Sequence, residues 1–278
     1  MSGGEVSEVK VRGVTVDADW LLLGGLGVLG IAFVSTLTLA LSVMLYSSSP
    51  FTVVYPKFPW FLYIIYPTMQ SQLNVLWVLC SSSPVVSLYV KVPWFLAPRI
   101  SFPFINIGYS PFWQYISELG MGPTAYIFNT GMIITGLMAV AVFALANTVL
   151  GSSRAVNIGR ITGVFGSLCL IGIGAFPMSP ITLSLINPHE AFAAGFFLGV
   201  AVAAAFLGYS MTKSPVLSKV HGVLGAVVLV SAVLFLVLGF ALGDIVAPVL
   251  EWLTIILLIA WLFVAGGQLF IKGITLPA

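Results

Sequence analysis

Long apolar stretches, broken by short polar segments, organise this chain. They run Trp20–Tyr46, Thr124–Leu150, Ile161–Phe176, Ala191–Ser210, Val220–Leu242 and Val249–Ile271. A helix needs roughly 20 apolar residues to cross the hydrocarbon core, and only the third stretch is clearly shorter. The pattern predicts an all-α membrane protein with six crossing helices. It divides the chain into a leader (1–19), a first span (20–46), an inserted segment (47–108), a short interfacial helix (109–122) and a five-helix bundle (123–278). The first span is too long for a signal-peptide core and has no small-residue cleavage site after it, so it reads as a retained anchor. The leader, with its weak alternation of Val9, Val11, Val14 and Val16, reads as an arm or a single strand.

Charge fixes an expected orientation. Lys and Arg number 10 and Asp and Glu 8 in 278 residues, 6% in all, against roughly a quarter in soluble domains. Mean hydropathy is +1.14. With residue 1 in the cytoplasm, Lys10, Arg12, Arg154, Arg160, Lys213, Lys219 and Lys272 all fall inside. Only Lys57, Lys91 and Arg99 fall outside, in one long connection whose charge counts little. The expected placement is therefore the cell membrane with both termini cytoplasmic. Glu118, His189, Glu190, Asp244 and Glu251 then share the outer side, where any chemistry would sit.

The insert 47–108 contains a duplication. Ser47–Leu62 recurs as Ser81–Leu96, offset by 34, with 10 of 16 positions identical, including Ser-Ser-Ser-Pro at the start and Pro-Trp-Phe-Leu at the end. Its β-branched and aromatic residues suggest short strands, and Pro56, Pro59 and Pro93 forbid a regular helix. We expect a β-rich outer cap of two similar hairpins. The cap would either dock a protein partner or a second copy, or merely shield the spans; Trp60, Trp94, Tyr63, Tyr66 and Trp77 would equally suit an interfacial aromatic belt.

Residues 109–122 carry helix signals: Ser110 as N-cap, Pro111 at the first position, and Gly120 and Gly122 as stops. Phe112, Trp113, Tyr115, Ile116 and Leu119 would seat this helix among the headgroups. Glu118 in its last turn would oppose the helix dipole and need a compensating partner. The third and fourth spans are rich in glycine and alanine, including Gly195-x-x-x-Gly199, and should approach each other closely as the tight centre of the bundle.

Tyr109-Ser-Pro111, Ile116-Ser-Glu-Leu-Gly120 and Phe128-Asn129 resemble the opening of a prokaryotic membrane family catalogued as domain of unknown function 998. The resemblance continues through Gly136, Arg160, Phe176-Pro177 and His189 to about residue 212. It implies a compact helical bundle with an outer polar cluster, and no reaction. The duplicated insert departs from the short connection usual in the family.

Ionisable residues near membrane depth are candidate sites. Glu190 follows Asn187-Pro188-His189 and suits a capping role, Glu251 suits the start of the sixth span, and Asp244 suits a turn. Glu118 and His189 remain, as an ion pair or a general acid–base pair, with Ser117 as a candidate nucleophile and Asn129 nearby. Trp60, Trp94, Trp113 and Asn129 are the candidate lipid- or partner-binding residues. The two histidines, His189 and His221, open consecutive antiparallel spans on opposite leaflets and cannot share a haem iron. Cys80 and Cys169 are separated by half a membrane and give no disulfide or metal motif. No metal or cofactor is expected. No basic cluster suggests nucleic acid, and no charged span interior or repeated half suggests an ion-coupled carrier. Two readings follow: a non-enzymatic accessory or scaffold subunit presenting its cap, or a lipid-modifying enzyme at the outer leaflet using Glu118, His189 and Ser117.

Overall fold

The structure, a computed structural model, describes residues 8–11, 14–48, 111, 114–120, 124–177, 188–242 and 246–275. The leader is a hairpin and not a single strand: β1 (Glu8–Val11) pairs antiparallel with β2 (Val14–Asp17). Asp17 then starts α1 (Ala18–Ser48), its Oδ1 accepting from the N–H groups of Asp19 (2.9 Å) and Trp20 (3.2 Å). These are donors that a helix start leaves open. Residues 49–108, with the duplicated cap, Trp60 and Trp94, lie outside the described residues.

The second apolar stretch breaks at Leu145 into α2 (Ala125–Ala144) and the one-turn α3 (Ala146–Leu150). Gly151, with φ +74°, turns the chain there, a conformation that costs glycine little. The third span is longer than its apolar run. Ser153 is extended and its Oγ accepts from Val156 N–H at 3.2 Å, so α4 (Arg154–Ala175) begins before Ile161 and reaches 22 residues. Its polar first turns, Arg154 to Arg160, hid it from a hydropathy reading. α5 (Pro188–Lys213), α6 (Val220–Leu242) and α7 (Ala247–Thr275) follow.

Six of these helices, α1, α2, α4, α5, α6 and α7, are long and apolar enough to cross a membrane. Each turns apolar side chains outward, among them Leu23, Leu137, Phe165, Leu198, Val230 and Ile256. Exposed apolar surface on every helix suits lipid and not water.

Consecutive spans pack side by side, and α7 returns to α1, so the six form a closed ring. The expected close pair is present: a Cβ added at Gly199 of α5 would lie 2.8 Å from the Cα of Gly166 on α4. The pair is a segment of the ring, however, and not its centre. A second close seam, unforeseen, joins α1 to α7, where a Cβ at Gly266 would lie 2.9 Å from the Leu29 backbone nitrogen. In lipid, where apolar burial alone gives no preference for helix over tail, such close backbone packing holds spans together.

The interfacial α-helix expected over 109–122 is replaced, among the described residues, by one 3-10 turn at Ile116–Gly120. Its apolar side chains turn into the protein. Ile116 and Leu119 are buried in the main core with Phe128, Ile173 and Phe196. Two apolar anchors three residues apart eclipse in a 3-10 turn and point into the same space. The turn thereby enters one end of the ring.

Candidate functional site

Five polar contacts hold the 3-10 turn in place. Ile116 N–H donates to Glu251 Oε2 at 2.7 Å, tying the turn to the first turns of α7. Thr124 Oγ1 donates to the Leu119 carbonyl at 3.1 Å, and Asn129 Nδ2 donates to the Gly120 carbonyl at 3.0 Å. Glu118 Oε1 accepts from Tyr115 N–H at 3.2 Å, with Gln114 Nε2 at 3.4 Å from Oε2. Glu118 therefore does not end a helix against its dipole. It reaches back three residues to an open N–H, the geometry of half a capping box. Its carboxylate is nonetheless almost wholly buried, at 1% exposure.

These contacts give the family-like motifs a physical link. Gly120 has Phe128 and Asn129 against it: a Cβ there would lie 2.6 Å from Asn129 Oδ1 and 3.0 Å from the Phe128 ring. The Ile-Ser-Glu-Leu-Gly turn and the Phe-Asn pair are two halves of one joint. Asn129 works in that joint through its amide nitrogen, while its Oδ1 is buried with no hydrogen-bond partner among the described residues.

His189 is buried in the first turn of α5, and its Nδ1 lies 2.9 Å from the Phe176 carbonyl oxygen. A carbonyl only accepts, so Nδ1 carries a proton, and in the neutral ring Nε2 holds the lone pair. The Phe176 and Phe192 rings stack at 5.5 Å between centroids beside this contact.

Ser117, His189 and Glu251 meet in the wall of one cavity of about 90 Å³. From that polar end the wall becomes apolar, through Met132, Phe196 and Leu258 to Phe143 and Leu262. Glu251 and Leu262 are separated by about 16 Å of helix axis at 1.5 Å per residue. Within this stretch the hydroxyls of Ser35 and Ser167 are engaged with carbonyls of their own helices. Thr135 Oγ1 is the buried wall hydroxyl with no partner among the described residues. The cavity is thus apolar along its length and polar at one end.

Of the expected site residues, Ser117 and His189 share this cavity, Glu118 lies in the same turn as Ser117, and Asn129 anchors that turn. Glu190 is exposed on α5, while Trp113 and Asp244 lie outside the described residues. Glu251 was read only as a residue favoured by a helix start, yet it is buried, accepts the Ile116 N–H and lines the cavity. Pro248 just before it was the available signal, since an acid in a buried first turn calls for a donor. His221 stands in the first turn of α6, beside the end of α5 opposite His189. It is fully buried, its Nε2–H donating to Gln268 Oε1, which also accepts Ser218 N–H at 3.0 Å.

A ring of six apolar helices whose outward faces are apolar defines a multi-pass membrane protein. The family described as "Protein of unknown function (DUF998)" matches residues 90–267, and the chain belongs to it. The match takes in the 3-10 turn, the joint with α2 and most of α7, beyond the stretch that carried the sequence resemblance. No curated protein and no solved structure matches the chain.

Proposed function

We propose that this is an accessory protein of the cell membrane that receives part of a membrane lipid at the end of the ring closed by the 3-10 turn. The observation that carries the reading is the cavity: apolar along its length and polar at one end, where Ser117, His189 and Glu251 stand. An apolar pocket with a few convergent polar groups is the usual form of a small-molecule site. The insert 47–108 joins the chain at this same end, through the 3-10 turn, and would present the occupied end to a protein partner or a second copy. By the distribution of Lys and Arg, this end faces outward and both termini face the cytoplasm. Thiols introduced at Ser153 and Ser214 should then resist an impermeant reagent on intact cells, while one at Asp244 should react. Reaction at Ser153 would reverse the orientation.

A second reading, a lipid-modifying enzyme, draws on the His189 tautomer. With Nδ1–H given to Phe176, Nε2 is the basic nitrogen, and Ser117 stands in the same wall. In an acyl transfer, Ser117 Oγ would attack a lipid ester carbonyl while its proton passes to His189 Nε2. That proton would leave on the departing alcohol, and the acyl group would pass from serine to water or another alcohol. Glu118, in the same turn, would support the charge that develops on the imidazole. Lipid mass spectrometry separates the readings. As an accessory protein, the wild type should co-purify with a lipid that Ser117→Leu loses, and the cellular lipid profile should not change. As an enzyme, Glu118→Gln or His189→Gln should leave a folded protein and alter that profile. If no lipid co-purifies and no profile changes, only a scaffold role for the cap survives.

A further inference from the structure

A second cavity, of about 150 Å³, lies between α1, the α2–α3 break and α7. The surface that faces it is almost wholly apolar. The Thr148 hydroxyl in its wall is given to the Leu145 carbonyl at 2.7 Å, and the Trp261 indole nitrogen is buried within the protein. The wall begins at helix ends, with Trp20 in the first turn of α1, Leu150 closing α3 and Met211 in the last turn of α5. It ends inside the bundle at Ile31 and Leu262, which also line the first cavity. Trp20 and Ile31 are separated by about 16 Å of helix axis at 1.5 Å per residue. Trp20 and Leu23 of α1, and Ala141, Leu145 and Thr148 of α2 and α3, belong to the wall and are exposed on the outside. The space therefore opens sideways onto the bilayer between α1 and the α2–α3 break. Val28, Ala265 and Leu269 also line it and are buried.

These features select the occupant. An apolar cavity of this volume stays dry and takes a molecule about the size of benzene. It holds a short stretch of hydrocarbon and not a whole lipid tail. Hydrocarbon is what the bilayer presents at the opening. Each leaflet supplies about half of a core about 30 Å thick, so a wall running about 16 Å inward from the helix ends covers the depth of one leaflet. At that depth lie acyl chains whose headgroups stand at the interface. We propose that this chamber takes the end of one acyl chain of a phospholipid, from the leaflet on the side of Leu150 and Met211. The rest of the chain lies along the opening beside Trp20, Leu23 and Leu145. The chain end supplies the dispersion contacts that the buried lining calls for, and the lipid becomes part of the wall between α1 and the α2–α3 break. The site is separate from the first cavity and does not depend on the lipid reading given to it.

The test is photolabelling of the full-length protein in phosphatidylcholine nanodiscs that contain a phosphatidylcholine with a diazirine at the tip of one acyl chain. Labelled residues are mapped by mass spectrometry. The wild type should be labelled at Val28 and Ala265, which line this chamber and not the first and are buried from a chain outside the protein. Ala141→Trp sets a large side chain at an exposed wall position. It should cut this labelling about tenfold, the equivalent of keeping out roughly two methylenes. Leu145→Trp should do the same from the neighbouring turn, and it decides the matter should Ala141→Trp not fold. Labelling of Val230, exposed on α6, should be unchanged in both variants, since it reports the lipid around the ring. Ser117→Leu should be labelled as the wild type is, because the chain does not enter through the first cavity. Labelling confined to exposed residues, full labelling of Val28 and Ala265 in both tryptophan variants, or its loss in Ser117→Leu overturns the proposal.

Discussion

Gly199→Ala is expected to lower the thermal stability of the purified protein by about 1–3 kcal/mol, the usual cost of overpacking, while Gly267→Ala does not. Both substitutions gain the same local term, since alanine is better than glycine inside a helix by up to about 1 kcal/mol. The difference lies in what each new Cβ meets. At Gly267 nothing lies within 4 Å. At Gly199 the Cβ would stand 2.8 Å from Gly166 Cα and 2.9 Å from both Gly166 N and Thr162 O. These are backbone atoms of α4 and cannot rotate away. The two helices must separate, and the dispersion contacts along the seam weaken together. Gly199→Leu should be worse still and should reduce the yield of folded protein. Melting of the two alanine variants in the same detergent checks the expectation; equal melting temperatures would mean that the α4–α5 seam yields without cost.

The same contrast shows what could be read from the residues alone. Six spans and the small-residue pairing of α4 with α5 were legible because both are local patterns: apolar runs of membrane length, and glycines recurring on one helical face. The start of α4 was less so. Arg154, Asn157 and Arg160 lower the hydropathy of a segment that Ser153 nonetheless caps. Glu118 was misplaced by assuming an α-helix over 109–122. In a single 3-10 turn the same residue stands near the beginning, where its carboxylate is welcome. Glycines at the α1–α7 seam could not be singled out, because that contact depends on closure of the ring between the chain's first and last spans. Both cavities are likewise products of closure, and no stretch of sequence announces a space.

Among the candidate residues, the sequence grouped Ser117, His189 and Asn129 as polar residues expected on one side, and the fold shows where each sits. Asn129 joins α2 to the turn, and Ser117 and His189 face a common cavity. The tie between the turn and α7 was hidden, since Ile116 and Glu251 are 135 residues apart and neither looks unusual in its own segment. Ile116 resembles any apolar anchor, and Glu251 any acid at the start of a helix.

That bond carries the second large effect. Glu251→Ala should destabilise the protein by about 2–3 kcal/mol and loosen the 3-10 turn selectively. The Ile116–Glu251 bond is 2.7 Å long and buried, and hydrogen bonds to a charged group are worth about 1.5–3 kcal/mol. Removing the carboxylate also leaves the Ile116 N–H without its acceptor in an enclosed place, which adds a desolvation penalty of its own. Glu251→Gln keeps a carbonyl oxygen in reach and should cost less than half as much. Locality is the sharper part of the expectation. Thr124 and Asn129 still hold the Leu119 and Gly120 carbonyls, so the turn should hinge open at its Ile116 end and not detach. Hydrogen exchange should accelerate in the peptide covering 114–118 and remain slow within α4 and α5. Because Ser117 lies between the hinge and the anchored end, an opened turn would widen the polar end of the cavity. If Glu251→Ala melts like the wild type and exchange in 114–118 is unchanged, burial of Ile116 and Leu119 with the Thr124 and Asn129 bonds holds the turn without Glu251, and Glu251 is left to the cavity.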